Sequence, residues 1–439
     1  MLERLFGLKA HGVTVRTEAL AGATTFMTMA YIVLVNPLIL SDAGMPVAGV
    51  AAATCLAAGF GSILMGLIAN YPLALAPGMG LNAYFTYTVV KGMGVPWETA
   101  LGCVLISGLV FLALTLAGVR KLIVEAVPRG LFAAIAAGIG LFIAFIGLKG
   151  AGLVVANPAT TVALGDLKAP ATLLSLAGLI LTGVLMAWRV RAAVLIGVLS
   201  VTALAFLLHV TPFNPGPYDL SALSATAFKA DPAAALGLGK GGLSMAILEI
   251  VFVFLFVDFF DNLGTLVAVT KRAGLQAPDG TIPRLNRILL ADSVATIAGA
   301  TVGTSTVTSY IESAAGVAAG GRTGLTAVVT GLLFLAALFV APYVQLIPAA
   351  ATAPALILVG GMMMAPLAET DWSDPEISIP AFLTLTMIPL TFSIANGLAF
   401  GIVSHAGLKL LRGGPRRADL ALYILALLFI ARFAWTAAG

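Results

Sequence analysis

From residue 18 onward the chain alternates long apolar runs with short polar breaks, and the runs have the length of membrane crossings. A crossing helix needs roughly 20 apolar residues. The first half predicts spans 1–7 near 18–40, 50–70, 72–90, 98–118, 128–150, 172–188 and 192–210. A link rich in Pro, Gly and Ala follows over 211–242 and includes TPFNPGPYDL. The second half predicts spans 8–14 near 243–270, 285–302, 304–320, 323–343, 348–366, 377–392 and 395–411. Seven is an odd number, so the second half must enter the membrane upside down relative to the first, the pattern of an inverted repeat. The fold expected is an all-α polytopic membrane protein with fourteen transmembrane segments in two inverted seven-span repeats. A further apolar stretch, 419–435, follows the basic cluster GGPRRAD and holds Arg432 and Trp435; it reads equally as an interfacial helix or an extra span.

The third span of each half reads poorly as a continuous helix. In the first half it is YPLALAPGMGLNAYFTYTVV, with Pro77, Gly78 and Gly80 in mid-span. In the second it is VGTSTVTSYIESAAGVAAGG, with Ser and Thr crowded before Glu312 and small residues after it. Pro and Gly break helices, whereas Thr, Val and Tyr favour extended backbone. Spans 3 and 10 are therefore expected to be broken, each with a short extended piece and then a half-helix whose N-terminus aims N–H groups at a bound molecule. Non-helical backbone at membrane depth is tolerated only where protein or a cavity satisfies it. Paired breaks thus point to a transporter site.

Span 8 carries the most telling polar residues, in VFVFLFVDFFDNLGTLVAVT over 251–270. Asp258 and Asp261 are three residues apart and leave the same helix face, where Thr265 joins them at i+4 from Asp261. An ionised carboxylate at mid-membrane is costly, so the two need a partner, a water-filled cavity or a bound proton. No basic residue lies mid-span; Lys91 and Arg432 fall near span ends. Low dielectric and a neighbouring like charge both favour a protonated carboxyl, so the pair is a candidate proton carrier whose titration belongs to both residues. The structural alternative has one of them ion-paired to a Lys or Arg elsewhere, or bonded to the backbone of a broken span. Asp292 and Glu249 are further acids of the apolar spans. Asp292 reads better as bonded to neighbouring helices, and Glu249 as lying at a span boundary.

Composition agrees with this picture. Of 439 residues, 60% are hydrophobic and only 10% charged, against about 25% charged in soluble proteins. The start, MLERLFGLKAHGVTVRTEAL, runs directly into apolar spans, so no cleavable signal is expected. Arg4, Lys9, Arg16, Arg120, Lys121, Arg189, Arg191, Lys271, Arg272, Arg322, Lys409 and Arg416 are among the cations of the termini and alternate loops. Lys91, Lys149, Lys168, Lys229 and Lys240 fall in the other set. The positive-inside rule then places both termini of the fourteen-span unit in the cytoplasm. The net charge of +4 follows this topology and indicates no nucleic acid. Cys55 and Cys103 lie in apolar spans, and His11, His209 and His405 are not grouped with Cys or acids, so neither disulfide nor metal is expected.

The motifs FVDFFDNLGTLVAVTKRAGL, TSTVTSYIESAAGVAAGGRTGL and PGMGLNAYF resemble the adenine/guanine/hypoxanthine permeases, the AzgA-like branch of the nucleobase–cation symporter family. The resemblance runs from TTFMTMAYIVLVNP (24–37) to NGLAFGIVSHAGLKLL (396–411). It implies a core domain from spans 1–4 and 8–11 (1–127 and 243–345) and a gate domain from spans 5–7 and 12–14 (128–211 and 346–412). Residues 212–242 would be the inter-repeat linker and 413–439 a C-terminal apolar segment. It further implies proton-coupled uptake of a purine base held by Asn82 in span 3, Asp258 and Asp261 in span 8 and Glu312 in span 10. Asn262 departs from the Thr or Ser expected after Asp261 in many relatives, which bears on fine specificity.

The chemistry suits a purine. A carboxylate accepts two N–H bonds in parallel, and such charge-assisted bonds are roughly twice as strong as neutral ones. Glu312 is placed to read one ring edge, and Asn82 offers both a donor and an acceptor. Phe26, Tyr84, Phe259, Phe260 and Tyr310 are candidates to cover the ring faces, and Thr265 to add a hydroxyl. The bland alternatives are a helix-capping role for Glu312, interhelical bonding for Asn82 and packing for the aromatics. No cofactor is expected beyond a proton as coupling ion, with sodium left open. The expected partners are the purine and the bilayer, with a homodimer also left open. An anion transporter or channel of the same inverted-repeat fold is the alternative, disfavoured by acids where an anion would sit. A membrane enzyme lacks its signature here, since neither GxxxxGKS nor HExxH occurs.

Overall fold

The apolar runs fold as helices. The computed structural model describes residues 2–118, 129–212, 220–238, 244–277, 281–413 and 419–438. Among these residues ten helices are long and apolar enough to cross a membrane, and they correspond to spans 1, 2, 4, 5, 6, 8, 9, 11, 12 and 14. Shorter apolar helices stand at spans 7 and 13, Ala193–Leu207 and Pro375–Leu390, and at Leu420–Ala434 beyond span 14. The chain is a mostly helical, multi-pass membrane protein. Span 8, Met245–Ala273, shows how local chemistry sets the ends. The Ser244 hydroxyl accepts from the Ile247 N–H, Lys271 and Arg272 sit in the last turn, and left-handed Gly274 ends the helix.

Three local features differ from the sequence reading. The run 18–40 reads as one helix, but a turn at Ala30 and Tyr31 divides it into Val15–Met29 and Ile32–Ser41. There Val33 and Leu34 donate three residues back, to Ala30 and Tyr31, which tightens the chain. The loop after span 5 carries a hairpin. The stretch 211–242 is more than a link, since Leu220–Ala225 coils, Ala222 and Thr226 seat against Gly49 at the start of span 2, and Thr226 seats against Gly303 just after span 9.

Four short strands occur among the described residues: β1 Leu75–Pro77, β2 Val154–Asn157, β3 Thr161–Leu164 and β4 Val307–Ser309. β2 and β3 form the hairpin, while β1 and β4 pair antiparallel, Leu75 with Ser309, Ala76 with Thr308 and Pro77 with Val307. Spans 3 and 10 are thus broken, and their extended pieces bond to each other across the two halves. Each strand also leans on the helix before it. Ser62 in span 2 accepts from the Leu75 N–H at 2.9 Å and donates to the Leu75 carbonyl at 3.1 Å. Thr296 in span 9 accepts from the Val307 N–H at 3.1 Å and donates to the Val307 carbonyl at 2.9 Å. A hydroxyl can do both at once, so backbone groups that would be stranded in lipid are satisfied the same way in each repeat. Beyond β1 the chain turns helical over Met79–Ala83 and continues in wider π turns over Tyr84–Gly92; beyond β4 it forms Ser313–Ala318.

The chain divides into two compact units, Met1–Ala113 with Gly147–Leu356, and Leu114–Ile146 with Ile357–Gly439. In the first, spans 2 and 11 cross closely because glycine meets glycine. A Cβ on Gly66 would strike the Gly324 carbonyl, and one on Gly331 would stand 2.6 Å from the Gly59 carbonyl. These pairs are seven residues apart on each helix, the spacing that keeps small residues on one seam. The fully buried Glu18 carboxylate of span 1 accepts from the N–H groups of Arg322, Thr323 and Thr326 and from the Thr326 hydroxyl. It caps span 11 from a neighbouring helix. In the second unit Gly140 lies against the Gly360 carbonyl, and Phe142 meets Phe392 edge-on at 5.4 Å.

Candidate functional site

The first unit brings the predicted acids of spans 8 and 10 to the paired breaks. Glu312 lies in the turn between β4 and Ser313–Ala318, partly buried. Its Oε1 accepts from the Tyr31 hydroxyl at 2.8 Å, and its Oε2 is buried with no partner among the described residues. The turn itself is clamped to the break in span 3. Tyr310 donates its N–H to the Ala74 carbonyl at 3.0 Å and its hydroxyl to the Pro77 carbonyl, and the Ala74 N–H donates to the Ser313 hydroxyl at 3.0 Å. Asp261 is partly exposed, close enough to Glu312 and Tyr310 for their charges to interact. Asp258 lies deeper, 2% exposed, with Oδ2 at 3.4 Å from the Thr296 hydroxyl. Among the described residues no ion pair reaches Asp258, Asp261 or Glu312. The site is acidic.

Asn82 is held in a buried hydrogen-bond network at the break in span 3. It is fully buried, donates its side-chain amide to the side-chain oxygen (Oδ1) of Asn36 and accepts from the Ser305 hydroxyl. Asn36 in turn donates to Thr54 at 2.7 Å and to Thr304 at 3.1 Å. This network ties spans 1 and 2 to the half-helix after β1 and to the residues leading into β4. Both oxygens and amide groups of the two asparagines are occupied within it. Thr265 lies on the Asp258 face of span 8 and is 9% exposed.

The aromatic candidates separate by surroundings. Tyr84 is buried with its ring edge-on to Phe254 at 5.3 Å. Phe259 and Phe260 belong to a phenylalanine cluster with Phe111 and Phe256. Phe26 is only partly buried and packs edge-on to Phe334 at 5.2 Å. Tyr310 stays beside Glu312. Sequence reasoning missed Tyr31, Asn36 and Glu18. Their signal is present, a polar side chain in an otherwise apolar span, but only the three-dimensional structure supplies their partners.

Helical breaks paired across two halves, with acids at the break, define a class: a polytopic transport protein of inverted-repeat architecture. Residues 16–400 match the Permease family of xanthine/uracil permeases, and the chain belongs to that family. A protein of Methanocaldococcus jannaschii is 48% identical over 99% of this chain and 98% of its own length. The adenine permease AdeP of Escherichia coli is 44% identical over 98% of this chain and 95% of its own. The guanine/hypoxanthine permease PbuG of Bacillus subtilis is 44% identical over 98% of this chain and 99% of its own. Among solved structures the chain is similar to the transmembrane domain of the cyanobacterium bicarbonate transporter BicA. The TM-score is 0.63 at 17% identity, covering 89% of this chain and 97% of that one, a likeness of fold alone.

Proposed function

We propose that this chain is a secondary active transporter that takes up purine nucleobases (adenine, guanine or hypoxanthine) with protons, by alternating access. The observation that carries the reading is Glu312: a carboxylate at a broken span, oriented by Tyr31 through one oxygen, with no partner for the other oxygen among the described residues. That oxygen suits a ring N–H, and a charge-assisted bond in such a place is strong. Span 8 supplies the acid that couples movement to the proton, Asp258 or Asp261. The names of AdeP and PbuG, both 44% identical over nearly the whole chain, support a purine as cargo. In this reading the ten long helices, the two broken spans and the short helices at spans 7 and 13 are fourteen crossings of a bacterial plasma membrane. Both termini of that unit are cytoplasmic. An anion as cargo is disfavoured, since the half-helices meet at acids.

Uptake of radiolabelled adenine, guanine and hypoxanthine into cells expressing the chain tests this, with and without an uncoupler. Accumulation of at least one purine, abolished by the uncoupler, is expected. Accumulation of none of them, or accumulation untouched by the uncoupler, would overturn it.

A further inference from the structure

Span 8 presents its two acids to different surroundings. Asp261 is partly exposed on the Glu312 side. Asp258 is buried, with the hydroxyls of Thr296 and Thr308 beside it, and its Oδ1 has no partner among the described residues. One turn along the same face, at i+4, Asn262 is wholly buried, and neither its oxygen nor its nitrogen has a partner among the described residues. Residues i and i+4 on a helix are neighbours, close enough for one water to bridge their side chains.

The strand opposite repeats the pattern. Thr306 and Thr308 share a face because alternate residues around a strand do. Both flank Gly78: Thr308 Cγ2 and Thr306 Oγ1 lie 3.1 and 3.9 Å from where a Cβ there would stand. The Thr306 hydroxyl oxygen is buried without a hydrogen-bond partner among the described residues, and the buried Thr308 hydroxyl lies beside the Asp258 carboxyl. Buried polar groups left unpaired are costly, so such a concentration points to something the groups bind.

We propose that Asp258 is the proton-holding residue, in a pocket that Asn262, Thr306 and Thr308 complete through bound water, and that Asp261 belongs with Glu312 on the substrate side. This rests on the reading of the chain as a proton-coupled purine carrier. The burial of Asp258 excludes a purine but not a proton passed along water. In the step, hydronium in the pocket gives its proton to the Asp258 carboxylate, forming one O–H bond and leaving a neutral water. Asn262 serves both states, because a carboxamide offers an oxygen to the acid's O–H and an N–H to the carboxylate. The Thr hydroxyls rotate to match. The titratable groups on the elements around Asp258 are Asp261 on its own helix, Glu312 and Tyr310 of span 10, Tyr84 of span 3 and Asp292 of span 9. Asp261 is close enough for its charge to act directly on Asp258.

The test uses the full chain in proteoliposomes, with the purine the wild type takes up. Counterflow, accumulation under an inward proton gradient, and the pH dependence of purine affinity are measured. Asp258→Asn should fall to an accumulation ratio of one, keep some counterflow and lose the pH dependence of affinity. Asp261→Asn should lose affinity by about tenfold or more, with the remaining binding still pH-dependent. Asn262→Leu should move the pH midpoint of accumulation by roughly half a unit or more, and Asn262→Ser by less. Accumulation above equilibrium by Asp258→Asn, or pH dependence lost with Asp261→Asn instead, overturns the assignment. If Asp258→Asn does not fold, an unmoved midpoint in Asn262→Leu overturns it. Failure of the wild type to accumulate any purine would instead overturn the transport reading, and would show before any variant is made.

Discussion

Replacing Glu312 by Gln isolates the bond on which the proposed site turns. The side chain keeps its shape, and its amide oxygen can still accept from Tyr31, whose hydroxyl stands 2.8 Å from Oε1. The change falls on the other oxygen, the one without a partner among the described residues, which becomes an N–H donor where an acceptor is needed. Losing a hydrogen bond to a charged group costs about 1.5–3 kcal/mol. That corresponds to a loss of purine affinity of about ten- to a hundredfold. Tyr31→Phe is the companion variant: it removes the orienting bond but leaves the free oxygen charged, so it should weaken binding by less than Glu312→Gln. Calorimetric titration of the purified protein with its preferred purine measures both, beside thermal unfolding curves to confirm that each is folded. Binding by folded Glu312→Gln within about threefold of wild type would refute the reasoning.

Gly324→Ala should force spans 2 and 11 apart, because the new Cβ meets the Gly66 backbone; a loss of about 1–3 kcal/mol is expected, read as lowered thermal stability. Glu18→Ala leaves the buried N–H groups that begin span 11 without their acceptor and should cost about 1–3 kcal/mol or more. Glu18→Gln, which keeps one oxygen acceptor, should lose less in the same unfolding assay. For topology, the two native cysteines are buried, so single added cysteines can be read against a quiet background. An impermeant thiol reagent on intact cells should label Lys168→Cys and not Ala277→Cys; the reverse pattern would invert the orientation of every span.

The architecture was legible because the bilayer imposes its rules on the linear sequence. Length and apolarity marked the crossings, and Pro77, Gly78 and the Ser/Thr run before Glu312 marked the two breaks, since those residues cannot hold a lipid-exposed helix. The turn inside span 1 and the hairpin after span 5 were not legible. Ala30 and Tyr31 suit a helix by propensity, so nothing in the run 18–40 marks the turn.

The acids tell the same story at the level of the site. Asp258, Asp261 and Glu312 stood out in the sequence because a carboxyl in an apolar span demands an explanation. Their separation into a buried Asp258 beside Thr296 and a partly exposed Asp261 beside Glu312 depends on what faces span 8, and two residues three apart carry no record of that. Tyr31 meets Glu312 across 281 residues of chain, and Asn82 meets Ser305 across 223. The sequence alone determined which groups must be kept from lipid. The tertiary structure alone decided their partners, because a hydrogen bond is set by ångström-scale position, and residues so far apart in the chain reach that position only when the two inverted halves pack together.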